Sequence, residues 1–368
     1  MNAAETTHPG RLAPALESWR FEPFFGYAVG KMQSETSDYL VIGAGVAGLA
    51  LAGDLRKTGA KVICVDKGRV VGGRCATRTL ATGSLCDYGT QYFTAKSDRL
   101  TRWAQAWINE PDSTLRIWNR GYPTWERGEI KEREPGHPRY APTTGMQSIA
   151  ERLAQGTDVR VSTTITALAK DGDKWVATGH AHPGETPVSF TAKNLCLTLP
   201  AEQLLRLAGT FLSDSWRSQI ESVTYDPAWT VIAVLENDIP FDHTAIEFKN
   251  HPVLGWLSRD HTKRDFRHPE PVIVAHGSGA WSRVHIEDWK DSVQAAILAA
   301  VEGLGGQRLA VREAHTHRWR YAAPTQTTGE PFLSDKAQGL HICGDGCGGI
   351  RLENAIATGW LLAEGIKG

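Results

Sequence analysis

The sequence predicts an α/β protein in which a Rossmann-like domain, assembled from separate segments, is joined to an inserted antiparallel-sheet α+β domain. Three observations support this prediction. An apolar strand leads directly into the glycine pattern Gly43-x-Gly45-x-x-Gly48. A second strand ends in Asp66, and the chain closes with a buried strand, a Gly-Asp pair and a helical pattern. Residues 201–311 instead carry strands and one amphipathic helix without such a turn, which indicates a second domain.

The first glycine turn has the spacing of a phosphate-binding loop. Residues 39–42 form a short apolar strand, and residues 46–57 form an apolar run of helical character that Gly59 ends. In such a turn the first glycine permits the tight bend, the second lets a pyrophosphate approach the backbone, and the third lets helix and strand pack closely. The helix N-terminus adds free N–H groups. The candidate phosphate-binding residues are therefore Gly43, Gly45, Val46, Ala47 and Gly48.

Two further nucleotide-binding signals follow this turn. Residues 61–65 form the second strand, and the acid at its tip lies 23 positions after Gly43, where a carboxylate accepts hydrogen bonds from ribose hydroxyls. Residues 72–74, Gly-Gly-Arg, offer backbone amides and a guanidinium to a second phosphate, with a solvent-exposed loop as the alternative. The candidates in this stretch are Asp66, Lys67, Gly73 and Arg74.

The composition argues against a nucleic-acid-binding protein and against a membrane-spanning one. The 368 residues carry 40 Lys and Arg against 41 Asp and Glu, which gives no sign of a nucleic-acid surface. No apolar run approaches the roughly 20 residues of a membrane-spanning helix, and the six cysteines form no CxxC pair, so we expect a cytoplasmic protein with reduced thiols. Residues 1–37 read as an extension outside the fold pattern, with Met32 as an alternative start.

The remaining elements follow from hydrophobic periodicity. Helices are predicted over residues 98–108, 147–153 and 288–301, and the last of these carries its apolar face on Trp289, Val293, Ile297 and Val301. Strands are predicted over residues 159–165, 174–178, 194–199, 230–235, 254–258 and 272–276.

The glycine turn, Asp66 and the Gly-Gly-Arg stretch together resemble the opening of the flavin-dependent amine oxidase superfamily, which includes monoamine oxidase and protoporphyrinogen oxidase. Residues 86–94, Cys-Asp-Tyr-Gly-Thr-Gln-Tyr-Phe-Thr, are similar to the Asp-x-Gly-x-Gln-Tyr-Phe-Thr motif of the renalase branch. The resemblance implies a p-hydroxybenzoate hydroxylase-like architecture with non-covalent FAD, and places this segment beside the flavin. A buried strand with a hydrogen-bonded Gln is the alternative. The candidates here are Tyr88, Gly89, Thr90 and Gln91.

Near the C-terminus, alternation places four aromatic or imidazole side chains on one strand face, His315, His317, Trp319 and Tyr321. Residues 317–322 match the family's His-x-Trp-x-Tyr-Ala segment, which implies a pocket wall above the flavin, with a packed sheet face as the alternative. Arg318 and Arg320 point the other way. No third ligand completes a metal set, so no metal is predicted. The catalytic candidates are Gln91, His317, Trp319 and Tyr321.

The closing motif is the second cofactor signal. Residues 340–345 form a strand that ends in Gly-Asp, and the resemblance implies that this Asp binds ribityl hydroxyls, while the start of the last helix stabilises negative charge on the flavin. Ile165 is expected near the adenine. Gly346 stands where the family commonly has Trp, and Asn354 where it has Gly, which puts the substrate in doubt. The further candidates are Gly344, Asp345, Arg351 and Leu352.

These signals predict an FAD-binding domain over residues 38–100, 140–205 and 312–368 and a substrate domain over residues 101–139 and 206–311. The resemblance implies an oxidase that takes a hydride from 2- or 6-dihydroNAD(P) and passes electrons to O2, giving H2O2 and NAD(P)+. Two alternatives stay open: oxidation of a small amine, and a non-catalytic FAD-binding sensor or scaffold. The expected partners are the small-molecule substrate and O2, with no nucleic acid and no membrane. The sequence leaves the oligomeric state and the choice of NAD or NADP open.

Overall fold

The structure is a computed structural model that describes residues 34–264 and 270–367. The predicted extension, residues 1–37, lies outside the described residues up to residue 33, as does the alternative start at Met32. The described chain begins within the fold, because the hydroxyls of Ser34 and Thr191 bond at 2.7 Å and the first strand starts at Glu35.

The described residues form nineteen β-strands and nine α-helices. The strands are β1 (Glu35–Ile42), β2 (Val62–Val65), β3 (Thr77–Thr79), β4 (Leu85–Asp87), β5 (Leu115–Asn119), β6 (Thr124–Glu126), β7 (Glu129–Lys131), β8 (Arg139–Pro142), β9 (Asp158–Arg160), β10 (Thr163–Asp171), β11 (Lys174–Ala181), β12 (Thr186–Leu197), β13 (Thr224–Leu235), β14 (Ala245–Lys249), β15 (Leu254–Arg259), β16 (Val272–Gly277), β17 (Val311–Gln326), β18 (Leu333–Asp335) and β19 (Leu340–Ile342). The helices are α1 (Val46–Arg56), α2 (Asp98–Ile108), α3 (Gln147–Ala154), α4 (Ala201–Ala208), α5 (Asp214–Glu221), α6 (Gly279–Val284), α7 (Lys290–Gly305), α8 (Asp345–Gly348) and α9 (Leu352–Lys367).

The first sheet has the parallel core that the glycine turn requires. Strands β9, β2, β1, β12 and β19 run parallel in that spatial order. Strand β11 pairs antiparallel with β12, and β10 pairs antiparallel with β11. Helices α1, α3 and α9 cover one face, with Leu49, Ile149 and Ile356 fully buried. The Rossmann-like prediction is confirmed, because a strand–turn–helix at the N-terminus and a strand–helix at the C-terminus share this sheet.

The second sheet is mostly antiparallel, in the order β17-β13-β16-β15-β14-β6-β7. Helix α7 covers one face, where Val293 and Ile297 pack against Val231. On the opposite face Ile232 packs against Leu80 in the segment after β3. That second face therefore meets the part of the chain that leads into residues 86–94.

Three local predictions are wrong, each for a physical reason. The strand predicted over residues 159–165 is two strands, because Ser162 has φ of +51° and turns the chain between β9 and β10. Trp289 precedes α7 as its N-terminal cap and is 85% exposed, so it does not join the apolar face. The strand predicted over residues 340–345 ends at Ile342, because Gly344 has φ of +135° and turns the chain, and residues 345–348 form the short helix α8.

Candidate cofactor and substrate site

The first glycine turn leaves open space at one of its three glycines. A Cβ at Gly48 would lie 2.0 Å from the carbonyl oxygen of Gly43, and one at Gly43 would lie 2.4 Å from Thr198 Oγ1, so both positions are closed to side chains. At Gly45 a Cβ would meet no atom within 4 Å. The backbone N–H groups at the start of α1 therefore border an open cradle, which is the arrangement that a pyrophosphate needs.

Asp66 lies beside this cradle at the end of β2. Its carboxylate accepts hydrogen bonds from the backbone N–H groups of Ala44 at 2.7 Å and Gly68 at 2.6 Å. These bonds fix the carboxylate next to the glycine turn, and its remaining lone pairs stay available to ribose hydroxyls. Lys67 is exposed and donates to Gln203 Oε1 at 3.1 Å. Ile165 lies two residues into β10, whose first N–H donates to the Asp66 carbonyl at 2.8 Å.

The second glycine turn packs directly on the first. The N–H of Gly72 donates to the carbonyl of Ala44 at 2.9 Å, and a Cβ at Gly73 would lie 3.8 Å from Gly45 Cα. Arg74 points its guanidinium at Asp345, 2.5 Å away. Burial lowers the pKa of Arg74, but the hydrogen bond to Asp345 outweighs this and the pKa is raised. The guanidinium therefore joins the N-terminal and C-terminal cofactor motifs.

Tyr88 and Gly89 place an aromatic pair against this junction. A Cβ at Gly89 would lie 2.1 Å from the carbonyl oxygen of Arg74, an acceptor that Thr90 N–H uses at 2.9 Å, so only glycine fits. Tyr88 stacks on Trp319 with ring centroids 5.5 Å apart, and Trp319 Nε1 donates to the Tyr88 carbonyl at 3.1 Å. The structure thus brings together candidates that lie more than 200 residues apart in the sequence.

His317 completes this group of rings. Its ring centroid lies 4.2 Å from that of Trp319 and 5.0 Å from that of Tyr88. Burial lowers the pKa of His317 to about 4, with Arg78 adding to the shift, so the imidazole is neutral at pH 7. As predicted, Arg318 and Arg320 point away from this face, and both pair with Glu287.

Tyr321 does not continue the row. Trp319 pairs with Ala228 and Ala323 pairs with Asp226, so β17 bulges between these positions. Tyr321 lies in the bulge, where its hydroxyl donates to Glu202 Oε2 at 2.6 Å. Among the described contacts Tyr321 therefore meets Tyr225 and Glu202 rather than Trp319, a difference that arises at a bulge and that a single-strand alternation cannot anticipate.

Gln91 lies in a buried ionic network. Its Oε1 accepts from Ser258 Oγ at 2.8 Å and Lys263 Nζ at 3.0 Å, and its Nε2 donates to the carbonyl of Gly89 at 3.1 Å. The network contains two cations and two carboxylates, Lys263, Arg264, Asp87 and Asp260. Burial raises the pKa of Asp87, but the two cations lower it overall. These contacts favour the open alternative, in which Gln91 holds the segment in place.

One row of side chains crosses the second sheet on the face that meets this segment. His317, Thr230, His276 and Trp256 stand directly opposite one another on β17, β13, β16 and β15. Opposed residues point to the same face of a sheet. Thr230 Oγ1, His276 Nε2 and Trp256 Nε1 are buried without a hydrogen-bond partner among the described residues. Sequence analysis missed these three, because strand register across four strands cannot be read from a single sequence.

Such orphaned atoms indicate a ligand, because a buried polar atom without a partner costs about 1–3 kcal/mol. Burial lowers the pKa of His276 to about 4, with Lys263 contributing, so this imidazole is also neutral at pH 7. The row therefore offers neutral hydrogen-bonding groups beside the aromatic pair of Tyr88 and Trp319.

The C-terminal motif is arranged around Asp345 at the start of α8. Gly344 has φ of +135°, and its N–H donates to Thr358 Oγ1 at 3.0 Å, which fixes the turn. A Cβ at Gly346 would lie 3.1 Å from Tyr225 Oη. A Trp at this position would displace Tyr225, so the two residues share one space. Burial raises the pKa of Tyr225, and its hydroxyl has no described hydrogen-bond partner.

The start of α9 has two different sides. Arg351 is exposed and Leu352 is half-buried. Glu353 is buried, and Oε1 of its carboxylate accepts from the N–H groups of Lys96 at 2.8 Å and Ser97 at 2.6 Å, just before α2. Glu353 therefore holds the start of α2 against α9.

Within residues 34–264 and 270–367, one cluster of side chains has the spacing of a metal site. His180, His182 and Glu185 place their ligand atoms within 4.8 Å of one another on the hairpin between β11 and β12. The Glu185 carboxylate already bonds both imidazoles, at 3.0 and 2.8 Å. Those bonds account for the cluster, so it is assigned no metal.

None of the helices in the described ranges combines the length and the apolar character that crossing a membrane requires.

Comparison with known proteins identifies the family of this chain and solved structures that share its fold. Residues 125–367 match the family of flavin-containing amine oxidoreductases, and residues 41–107 match an NAD(P)-binding Rossmann-like domain. A solved structure from Exiguobacterium sp. 255-15, assigned as a protoporphyrinogen oxidase, has a TM-score of 0.71 at 16% identity, covering 91% of this chain and 99% of that chain. Putrescine oxidase bound to putrescine has a TM-score of 0.68 at 15% identity, covering 91% and 100%. At these low sequence identities, the structural similarity shows that the fold is shared.

The site also fits the cofactor of this family. The open cradle at Gly45 can take the pyrophosphate of FAD, and the carboxylate of Asp66 beside it can accept hydrogen bonds from the ribose. The family match covers well over half of the chain. This chain belongs to the flavin-containing amine oxidoreductase family, and it is an FAD-dependent oxidoreductase.

Proposed function

We propose that this chain oxidises misreduced dihydronicotinamide dinucleotides, the 2- or 6-dihydro isomers of NAD(P), to NAD(P)+. The observation that carries the proposal is the pair of buried, unpartnered atoms Thr230 Oγ1 and His276 Nε2. A nicotinamide carboxamide presents an acceptor oxygen and an NH2 donor, so a hydroxyl and a neutral imidazole satisfy it together. The similarity of residues 86–94 to the renalase branch supports the same substrate class.

The electrostatics of the site suit a neutral ring. His317 and His276 both have pKa values of about 4, so neither carries charge at pH 7. Hydride transfer from a dihydropyridine requires no general base, and no carboxylate lies in the row that contains these residues. The chain therefore has to bind and orient the ring and exclude water, rather than remove a proton.

Different residues would bind the cofactor and orient the substrate. The two glycine turns, Asp66, Asp345 and the start of α9 would hold FAD, and Tyr88 and Trp319 supply a flat apolar wall. Thr230 and His276 would fix the carboxamide and hence the face of the ring that is presented. When bound, the flavin accepts the hydride and passes electrons to O2, which yields H2O2.

Oxidation of a small amine is the second candidate. The fold shared with putrescine oxidase favours it, as does the aromatic cluster of Tyr92, Tyr122 and Trp256. An amine substrate would leave Thr230 Oγ1 and His276 Nε2 without a carboxamide to bind, so the amine accounts for fewer of the buried groups. A non-catalytic FAD-binding sensor would show bound flavin that no donor reduces.

Product stoichiometry tests the proposal. Aerobic reaction with 2- or 6-dihydroNAD should give one NAD+ and one H2O2 for each substrate consumed. Thr230→Val and His276→Phe should each weaken substrate binding about tenfold, since each removes one hydrogen bond to a buried polar group. Thr316→Val is the matched control, because Thr316 pairs with Val231 on the face under α7. Turnover of amines alone, or equal effects from the control, would overturn the assignment.

A further inference from the structure

A second group of buried donors without partners adjoins the row of Thr230 and His276 and shares Trp256 with it. Three rings form a cluster: Tyr122 lies 4.8 Å from Trp256 and 5.9 Å from Tyr92, centroid to centroid, and the two tyrosine hydroxyls bond at 2.6 Å. The guanidinium of Arg139 covers this ring cluster, with its Cζ 4.3 Å from the centroid of Tyr122 and 5.5 Å from that of Tyr92.

The two tyrosine hydroxyls satisfy each other, but three N–H donors of this group have no acceptor. Arg139 Nε and Nη1 and Trp256 Nε1 are buried, and each lacks a hydrogen-bond partner among the described residues. The nearby carboxylate of Glu247 is already paired with Arg133, at 2.9 Å. Burying a guanidinium against aromatic rings with its N–H groups unpaired costs free energy. A ligand that accepts hydrogen bonds from those groups would remove this cost. An anion would satisfy the two cationic N–H groups of Arg139, and Trp256 Nε1 is a third unpaired donor in the same ring cluster.

The backbone fixes this group relative to the proposed substrate site. Tyr140, the neighbour of Arg139 on β8, exchanges two backbone hydrogen bonds with Phe93, at 2.8 and 3.0 Å. Arg139 and Tyr92 are therefore held close together, because each directly precedes one residue of this backbone pair. Trp256 ends the row that contains Thr230 and His276, so an anion bound at Trp256 Nε1 lies at the end of that row.

We propose that Arg139 and Trp256 form an anion-binding subsite that takes a phosphate or carboxylate group of the substrate. The assignment of the anion to a dinucleotide phosphate rests on the proposed function, whereas the donor set itself does not. Arg139 would act as a specificity-determining residue. It favours substrates that carry an anion and disfavours alkylammonium ions, which would approach an unpaired guanidinium.

Kinetics of the holoenzyme test the role of Arg139. The probes are 6-dihydroNAD and the uncharged 1-methyl-1,6-dihydronicotinamide, which share the same reacting ring, and the readout is the Kd obtained from anaerobic flavin reduction. Arg139→Met should raise the Kd for the dinucleotide about ten- to a hundredfold and leave that for the uncharged ring unchanged, since only the anion loses its hydrogen bonds. Arg139→Lys should recover part of the loss, because a lysine keeps the charge but not the planar fork.

Arg133→Met is the matched control, since it removes a neighbouring guanidinium that Glu247 already occupies. FAD content and thermal unfolding midpoint confirm that each variant is folded. Equal losses in Arg133→Met and Arg139→Met, or equal losses on both probes, would overturn the subsite, because they indicate long-range charge or a general disturbance.

Binding to oxidised holoenzyme separates this proposal from the proposed function. Inorganic pyrophosphate and benzoate are titrated separately, and binding is followed by calorimetry in wild type and Arg139→Met. Arg139-dependent binding supports the subsite even if no dihydronicotinamide reduces the flavin, and the preferred anion shows whether the substrate group is a phosphate or a carboxylate. If neither anion binds in an Arg139-dependent manner, the subsite is rejected even if dihydronicotinamides are oxidised.

Discussion

At the scale of single residues, the site depends on glycines that leave no room for a side chain and on buried polar atoms that have no partner among the described residues. A side chain at Gly43, Gly48 or Gly89 would collide with a nearby carbonyl or hydroxyl oxygen, and each of these glycines belongs to a motif that is visible in the sequence. Thr230 and Arg139 carry no such local signature. Their importance arises from unpartnered atoms that only the tertiary structure brings together.

Gly45 gives the clearest residue-scale prediction. Its φ of −74° suits alanine and its Cβ position is open, so Gly45→Ala should leave the unfolding midpoint of the apo-protein unchanged. The added methyl enters the pyrophosphate cradle, so the Kd for FAD should rise at least about tenfold. Equilibrium dialysis with FAD measures this, with Gly303→Ala on α7 as control, since its Cβ position is also open. An unchanged Kd would contradict the cradle.

His276 predicts a dependence of stability on pH. Its pKa is about 4 in the folded protein, against an unfolded value of about 6.5, so only the unfolded chain binds the proton between these values. The free energy of unfolding therefore falls as pH drops through this window. His276→Gln should remove up to about 3 kcal/mol of that fall, measured by chemical denaturation between about pH 7 and pH 4. The exposed His137→Gln is the control, and identical pH slopes in wild type and His276→Gln would refute the prediction.

At the scale of elements, prediction succeeded where periodicity is local and failed at bends. The helix predicted over residues 98–108 is α2 with the same bounds. The strand predicted over residues 159–165 breaks at Ser162, and the aromatic face breaks at Tyr321, because a positive φ and a bulge leave no mark on an apolar alternation. The sequence did not predict the buried ionic network either, because Asp87 and Lys263 belong to elements that lie far apart in the sequence.

That network should dominate the stability of the junction between β4 and the turn after β15. Lys263→Met leaves two buried carboxylates, Asp87 and Asp260, with Arg264 as their remaining cation. Removing one partner of a buried ion pair typically costs about 3–5 kcal/mol, which is the expected loss in the free energy of unfolding. Adding Asp260→Asn should restore charge balance and recover part of it. Urea denaturation measures both, and a loss below about 1 kcal/mol would argue against the network.

At the scale of the whole molecule, the sequence predicted the α/β class and the cofactor because both depend on motifs near the chain ends. The substrate is harder to predict, since the groups that would select it come from β8, β13, β15, β16 and β17. The face of the second sheet becomes a site only where it meets residues 86–94. Tyr225 on β13 likewise fills the space beside Gly346, which a single-sequence reading of the C-terminal motif does not reveal.

The six cysteines predict how FAD is attached. All six are buried, and burial raises the pKa values of Cys64, Cys75, Cys196, Cys343 and Cys347 as well as Cys86. Such thiols are poor nucleophiles, so we expect non-covalent FAD. Acid precipitation of the yellow protein should release all flavin into the supernatant. Flavin absorbance that remains with the precipitated polypeptide would indicate a covalent bond.

Anaerobic stopped-flow reduction of the bound flavin tests the central claim most directly. The holoenzyme is mixed separately with 2-dihydroNAD(P), 6-dihydroNAD(P), ordinary NAD(P)H and a panel of small amines that includes putrescine, while the visible flavin band is followed. We predict fast bleaching by a 2- or 6-dihydro isomer and much slower bleaching by every amine. Fast reduction by an amine, or no reduction by either dihydro isomer, would contradict the account.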